Sequence, residues 1–174
     1  MRIAQMRPID IANGPGVRAT LFVSGCTHNC KGCFNQEYKD FNYGEEMNAQ
    51  KGFEFIEMVE NPNVKGVTIL GGEPFDQDEE LLILVNHIAH DTGKPIWIFS
   101  GYTFEQLLKK PLAVKILNKC EVLVDGPFIE ELKDIRLRFR GSSNQRVLDV
   151  QLSLAMKQAI PYIKYYADSN KWLN

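Results

Sequence analysis

The sequence predicts an α/β fold built as an open or partial parallel (βα) barrel. Three observations predict it. Short β-branched, apolar runs alternate with segments of helical period, and such alternation gives parallel strands joined by right-handed crossovers. Each run ends in a small or turn-forming motif, so these motifs share the carboxyl edge of the sheet, where α/β folds bind ligands. The chain has 174 residues, whereas a full eight-unit barrel needs about 250. Residues 1–174 therefore read as one domain, with 148–174 as a C-terminal extension.

Residues 1–17 read as an irregular lead-in containing Asn13-Gly14-Pro15-Gly16, in which two glycines allow positive φ and the proline fixes its own. Arg18–Val23 is the first strand, closed by Ser24-Gly25 and followed by a cysteine-rich loop. Residues 34–44 carry no clear period. Glu45–Glu60 reads as a helix with Phe55, Ile56 and Val59 on one face, stopped by Asn61-Pro62. Gly66–Leu70 is the second strand, broken by Gly71-Gly72-Glu73-Pro74. Asp78 then caps a helix whose apolar positions are 81, 82, 85, 88 and 89, ended by Gly93 and Pro95.

Ile96–Phe99 is the third strand, closed by Ser100-Gly101. Thr103 to Gln106 matches a capping box, and a further helix covers Leu112–Asn118. Val122–Val124 is the fourth strand, closed by Asp125-Gly126-Pro127. Glu130–Arg140 is charged and Gly141–Gln145 loop-like. Val150, Leu152 and Leu154 alternate as on an edge strand, while Leu148, Leu152, Ala155 and Ala159 equally support a helix. Tyr162–Asn174 reads as a surface tail.

Net charge is -2 and the pI about 5.9, which gives no electrostatic reason to expect nucleic acid or an anionic membrane as partner. The longest apolar runs, Leu81–Val85 and Pro95–Phe99, are too short to span a bilayer. Met1–Arg7 lacks the apolar region of a signal peptide. The expected location is the cytoplasm, where clustered cysteines bind metal or act catalytically more often than they form disulfides.

Cys26, Cys30 and Cys33 stand at a CxxxCxxC spacing. Three thiolates are more than a disulfide needs and one fewer than a closed tetrahedral site needs. A 4Fe-4S cluster is normally held by four thiolates. Held by three, it keeps one iron open, and an open position separates a catalytic metal site from a structural one. The alternative is structural zinc completed by His28 or Cys120, but zinc motifs usually come as two separated ligand pairs. His87 and His90 fall in the second helix as surface or packing residues, and Cys120 opens a strand as a small hydrophobe.

This CxxxCxxC loop after the first strand, with Gly71-Gly72-Glu73-Pro74 after the second, resembles the radical S-adenosylmethionine superfamily. Asn13–Arg18 and Phe22–Cys26 further resemble the activases of glycyl-radical enzymes. Cys30–Asn35, Val122–Gly126 and Arg140–Gln145 look like those that serve anaerobic ribonucleoside-triphosphate reductase. The similarity spans roughly residues 7–147. It implies a barrel of the radical S-adenosylmethionine type. It also implies a 4Fe-4S cluster whose open iron takes the amino and carboxylate groups of S-adenosyl-L-methionine.

The implied cofactor contacts are Gly71, Gly72, Glu73 and Pro74, and the backbone of Gly32, Cys33 and Phe34. Many superfamily members carry an aromatic residue where Gly32 stands; here Phe34 follows the cysteine instead. Ser100 is either a strand terminator or a hydrogen-bonding group for ribose or carboxylate, and Asp125 either a turn-former or a rim ligand. Pro127 is assigned no contact. The implied reaction is reductive cleavage to a 5′-deoxyadenosyl radical, which takes hydrogen from a glycine Cα of the reductase. A low-potential donor such as flavodoxin or ferredoxin supplies the electron. The competing readings are a pyruvate formate-lyase-type activase, a small-molecule radical enzyme, an iron–sulfur electron carrier, or a zinc-stabilised binding module. Residues 133–140 are a solvated face or a partner surface. A side chain at Gly72 is expected to crowd the cofactor and leave the cluster intact.

Overall fold

The strands are β1 (Arg2–Asp10), β2 (Arg18–Ser24), β3 (Glu45–Glu46), β4 (Gly66–Gly71), β5 (Ile96–Phe99), β6 (Val122–Asp125) and β7 (Arg146–Asp149). The structure, a computed structural model, describes residues 1–77 and 79–165. The strands form one sheet in the order β3-β1-β2-β4-β5-β6-β7, which does not close. Strands β2, β4, β5 and β6 are parallel, and antiparallel partners flank them on both sides. The helices are α1 (Ala49–Glu60), α2 (Glu79–His87), α3 (Phe104–Leu107), α4 (Pro111–Leu117) and α5 (Val150–Met156). None is long and apolar enough to cross a membrane, among the described residues.

The parallel strands are buried on both faces, which is why they read as near-continuous apolar runs. Register puts Leu21, Ile69, Ile98 and Leu123 on one face, in a core shared with the apolar sides of the helices. The opposite face carries Arg18, Phe22, Thr68, Leu70, Trp97, Phe99, Val122 and Val124. Toward the carboxyl edge, Phe22, Leu70 and Phe99 line a cavity. At the other end, Trp97, Val122, Val124 and Val147 pack with Tyr162 and Tyr165.

Four expectations change. The lead-in is mostly strand: β1 pairs antiparallel with β2 from Arg2 opposite Ser24 to Asp10 opposite Arg18. Two register irregularities and Pro8 erase its alternation, and only Ile3 and Asp10 are buried in it. The first helix starts at Ala49 rather than Glu45. Asn48 caps it, accepting from Lys51 N at 2.9 Å, and Glu45-Glu46 is β3. Residues 146–156 are a strand then a helix, because Asp149 ends β7 and caps α5 by accepting from Leu152 N. Tyr162 and Tyr165 are 9% and 8% exposed, so the tail begins as core. The Asp78 cap and the tail beyond Tyr165 lie outside the described residues. The helix after Asp78 runs on through a π turn over Ile88–Thr92 and ends at left-handed Gly93. The capping box forms with both Thr103 and Gln106 bonds present.

Arg18 ties the open face together. It is 2% exposed and donates to Thr68 Oγ1 at 2.6 Å, Val67 O at 2.6 Å, Pro95 O at 3.2 Å and Pro15 O at 3.4 Å. Its guanidinium also lies 5.4 Å from the Trp97 ring. A Cβ on Gly14 or Gly66 would intrude on this side chain, so both positions need glycine. Burial pulls the Arg18 pKa down to about 10, still charged at neutral pH. Arg18→Lys is expected to cost about 2–3 kcal/mol, since one ammonium cannot serve four acceptors spread around a planar fork. The check is a lower denaturant midpoint at unchanged slope.

Candidate metal-cluster site

The loop carrying Cys26, Cys30 and Cys33 leaves the end of β2 and is pinned at its start, where Gly25 N and Cys26 N donate to the carbonyls of Tyr38 and Lys39 at 2.8 and 3.2 Å. Cys33 N turns back to Cys30 O at 3.4 Å. All three thiols are free and partly exposed, and all three face one cavity of about 630 Å³. Burial pushes the Cys26 thiol up to about 11. Among the described residues, no three His, Cys, Asp or Glu side chains are drawn together as a site for a single metal ion.

Glu73 fastens this loop to the neighbouring strand ends. Its side chain is 1% exposed. Oε1 accepts from Phe75 N at 3.0 Å and from Ser100 Oγ at 2.9 Å; Oε2 accepts from Gly101 N at 2.7 Å. His28 Nε2 lies 3.3 Å from Oε2, and Glu73 holds the imidazole pKa above the ordinary histidine range. The His28 ring stands edge-on to Tyr102, with centroids 4.4 Å apart. Asp76 adds a second clamp: Oδ2 accepts from Thr27 N and Thr27 Oγ1 at 2.8 and 2.7 Å, and Oδ1 from Tyr102 OH at 2.8 Å. Sequence reasoning missed Asp76 and His28 as loop anchors. The only available signal was an acid two residues after the Gly-Gly-Glu-Pro turn.

The glycine pair also meets a packing demand of the chain itself. Gly71 has φ +124°, and a Cβ there would collide with the Val23 backbone. A Cβ on Gly72 would collide with the carbonyls of Gly25 and Tyr38. The pair lets the β4 turn pass directly beneath the cysteine loop, where Gly72 N and Glu73 N donate to Val23 O and Gly25 O at 2.8 Å each.

The cavity collects Cys26, Cys30, Cys33, Phe34, Gly71, Gly72, Glu73 and Ser100. Gly32 and Pro74 do not line it: Gly32, at φ +69°, faces Glu130, and Pro74 is buried at the start of a 3₁₀ turn. Ser100 turns its hydroxyl onto Glu73 while receiving Tyr102 N at 3.0 Å. Asp125 is a structural hub rather than a rim group. It is fully buried, caps α3 through Phe104 N at 2.6 Å, and pairs with Arg146 at 2.9 and 2.5 Å. Lining residues not assigned from sequence include Arg7, Asn13, Asn35 and Phe128, together with much of 133–141.

The residues present fit a cluster held by three cysteines. Three accessible thiols face a common space, while Cys120 is 1% exposed, bonded to Ile116 O and pushed up in pKa by burial. The cavity volume lies within the range of about 300–1,000 Å³ usual for small-molecule sites.

Three outcomes follow from these contacts. Gly72→Ala is expected to lower stability by about 2–3 kcal/mol, as overpacking against backbone does, and to reduce iron incorporation on anaerobic reconstitution, since the cysteine loop must shift. Arg146→Gln strands the buried Asp125 charge and is expected to cost about 3 kcal/mol in chemical denaturation. Arg146 also holds Glu105 down to about 2, below its ordinary 4.5. A lowered folded value means the Glu105 contribution is complete above 4.5 and fades toward about 2. The stability gap between the native chain and Glu105→Gln is thus expected to close across that interval in a pH series.

The chain is similar to known proteins over most of its length. The family model described as a 4Fe-4S single cluster domain matches residues 12–148. The anaerobic ribonucleoside-triphosphate reductase-activating protein of Salmonella typhi is 40% identical over 152 residues, covering 84% of this chain and 97% of its own. Its counterpart in Escherichia coli (strain K12) is 39% identical over 152 residues, with the same coverage of 84% and 97%. The counterpart in Enterobacteria phage T4 is 33% identical over 150 residues, covering 84% of this chain and 93% of its own. With its three cysteines facing one cavity, the chain belongs to the 4Fe-4S single cluster domain family, among the anaerobic ribonucleoside-triphosphate reductase-activating proteins.

Proposed function

We propose that this chain activates an anaerobic ribonucleoside-triphosphate reductase by generating a glycyl radical on it. The observation that carries the reading is the convergence of Cys26, Cys30, Cys33, Gly71, Gly72 and Glu73 on one cavity, together with relatives that bear that activity in their names. The open sheet is then a partial barrel of the radical S-adenosylmethionine type. When bound, a 4Fe-4S cluster and S-adenosyl-L-methionine would supply one-electron, hydrogen-abstracting chemistry, with a low-potential donor such as flavodoxin or ferredoxin as the source of the electron.

The chain's own part is to hold and to orient. Cys26, Cys30 and Cys33, which face the one cavity, would hold the cluster. Glu73 and Asp76 keep the cysteine loop in place through His28 and Thr27. Gly71 and Gly72, half-buried on the cavity lining, stand where the methionine end of the cofactor would lie. Ser100 and Glu73 satisfy each other, so their contribution is to shape the floor rather than to exchange protons. Phe34 and Phe128, with ring centroids 5.0 Å apart, form an apolar side of the cavity beside the third cysteine.

The test is anaerobic mixing of reconstituted protein, S-adenosylmethionine, reductant and reductase. The expected result is a paramagnetic doublet on the reductase that collapses with deuterium at glycine Cα, with 5′-deoxyadenosine formed. A signal on pyruvate formate-lyase and none on the reductase would overturn the target. Alanine at Cys26, Cys30 or Cys33 is expected to abolish stable iron binding, and Cys120→Ala to retain it. Iron loss from the Cys120 variant would reject the three-cysteine site.

A further inference from the structure

The cavity has a wall that the sheet does not build. Residues 133–141 supply Lys133, Ile135, Leu137, Phe139 and Arg140 to its lining. This segment is closed mainly on itself: Lys133 bridges Ser142, Asp134 N donates to Gly141 O at 3.3 Å, and Ser143 N donates to Leu132 O at 2.9 Å. Such a loop has no strand ladder to fix its distance from the cysteines. Within it, Phe139 has φ +56°, a conformation that a bulky side chain adopts rarely and only when its surroundings impose it.

What surrounds Phe139 is the start of the tail. After α5, left-handed Lys157 turns the chain back along β7, where Asp149 N donates to Ile160 O and Tyr162 N to Val147 O, both at 2.9 Å. The Trp97 ring meets Phe139 and Tyr162 edge-on, with centroids at 5.6 and 5.9 Å, and Tyr165 lies 6.2 Å from Phe139. Tyr165 OH donates to Arg138 O at 2.6 Å, directly beside the left-handed residue. Tyr162 OH donates to Glu121 Oε1 at 2.7 Å, anchoring the tail to the lower end of β6. The family model ends at residue 148, so these tyrosines lie outside the stretch it matches.

We propose that residues 160–165 are a strap that positions the cavity wall. Tyr162 and Tyr165 are positioning residues: they hold Phe139 and Arg138, and through them fix how far the 133–141 segment stands from the cysteine loop. The wall borders the route by which a partner's polypeptide segment enters, with Ile135 91% exposed at its tip. The strap therefore sets recognition of the reductase segment without touching cluster or cofactor. The recognition half of this inference rests on the function proposed above; the structural half does not.

Two variants test it: Tyr165→Phe, which removes the bond to Arg138 O and keeps the ring, and the double change Tyr162→Ser with Tyr165→Ser. Hydrogen exchange on the full-length protein before reconstitution reads the wall directly. Amides of 134–141 are expected to exchange about tenfold faster in the double variant, and about threefold faster in Tyr165→Phe, while β2 and β4 amides keep their protection. Unchanged exchange in the wall of a folded variant overturns the strap. In activation assays, KM for the reductase is expected to rise about tenfold in the double variant with kcat within about twofold. Faster exchange with unchanged KM overturns the recognition role. A native protein that never activates the reductase removes the proposed function, while the exchange result still decides the strap. If the double variant does not fold, Tyr165→Phe decides by the same two readings.

Discussion

The site depends on one buried carboxylate. Glu73 sits where three strand ends meet, and each oxygen is claimed by groups from different strands: its own turn after β4, the end of β5 through Ser100 and Gly101, and the cysteine loop after β2 through His28. A charge buried to this degree persists only when its acceptor sites are occupied. The loop and the β5 end are therefore held in place by the same requirement that stabilises the carboxylate. Glycine at 71 and 72 makes the geometry possible, because only a backbone without Cβ passes this close to Val23 and Gly25.

The parts of the fold visible in the sequence are those whose burial is uniform. Strands β2, β4, β5 and β6 face core on both sides, so their composition alone marks them. The Thr103 capping box is equally visible, because both of its bonds are local. Strand β1 was hidden: its pairing is carried by backbone, its register slips twice, and its side chains are mostly half-exposed. The tail was hidden for another reason. Tyr162 and Tyr165 are separated by two polar or exposed positions, and their partners, Trp97, Phe139 and Arg138, are distant in sequence.

The candidate site divides in the same way. The cysteines and the Gly-Gly-Glu-Pro turn were legible because they are contiguous motifs. The roles within the turn were not, since the sequence does not say whether a glycine makes room for a ligand or for the chain itself. Asp125 read as a turn-former or a rim ligand because it ends a strand. Its pairing with Arg146, one strand over, turns it inward instead. The 133–141 segment has no period and a charged composition, features shared by solvated loops, and only the three-dimensional structure brings it over the cavity.

An unclosed sheet has two free margins, and unpaired strands invite pairing with other chains. Here the margins are guarded in different ways. On one side β3 is only two residues long, and both are exposed glutamates that repel a second copy of the same edge. On the other, the returning chain lies along β7 and brings Pro161 opposite Leu148, placing a residue without an N–H on the outer line. The sheet can thus stay open along its length without becoming adhesive. Each margin is thereby closed to a chain that would add itself as another strand.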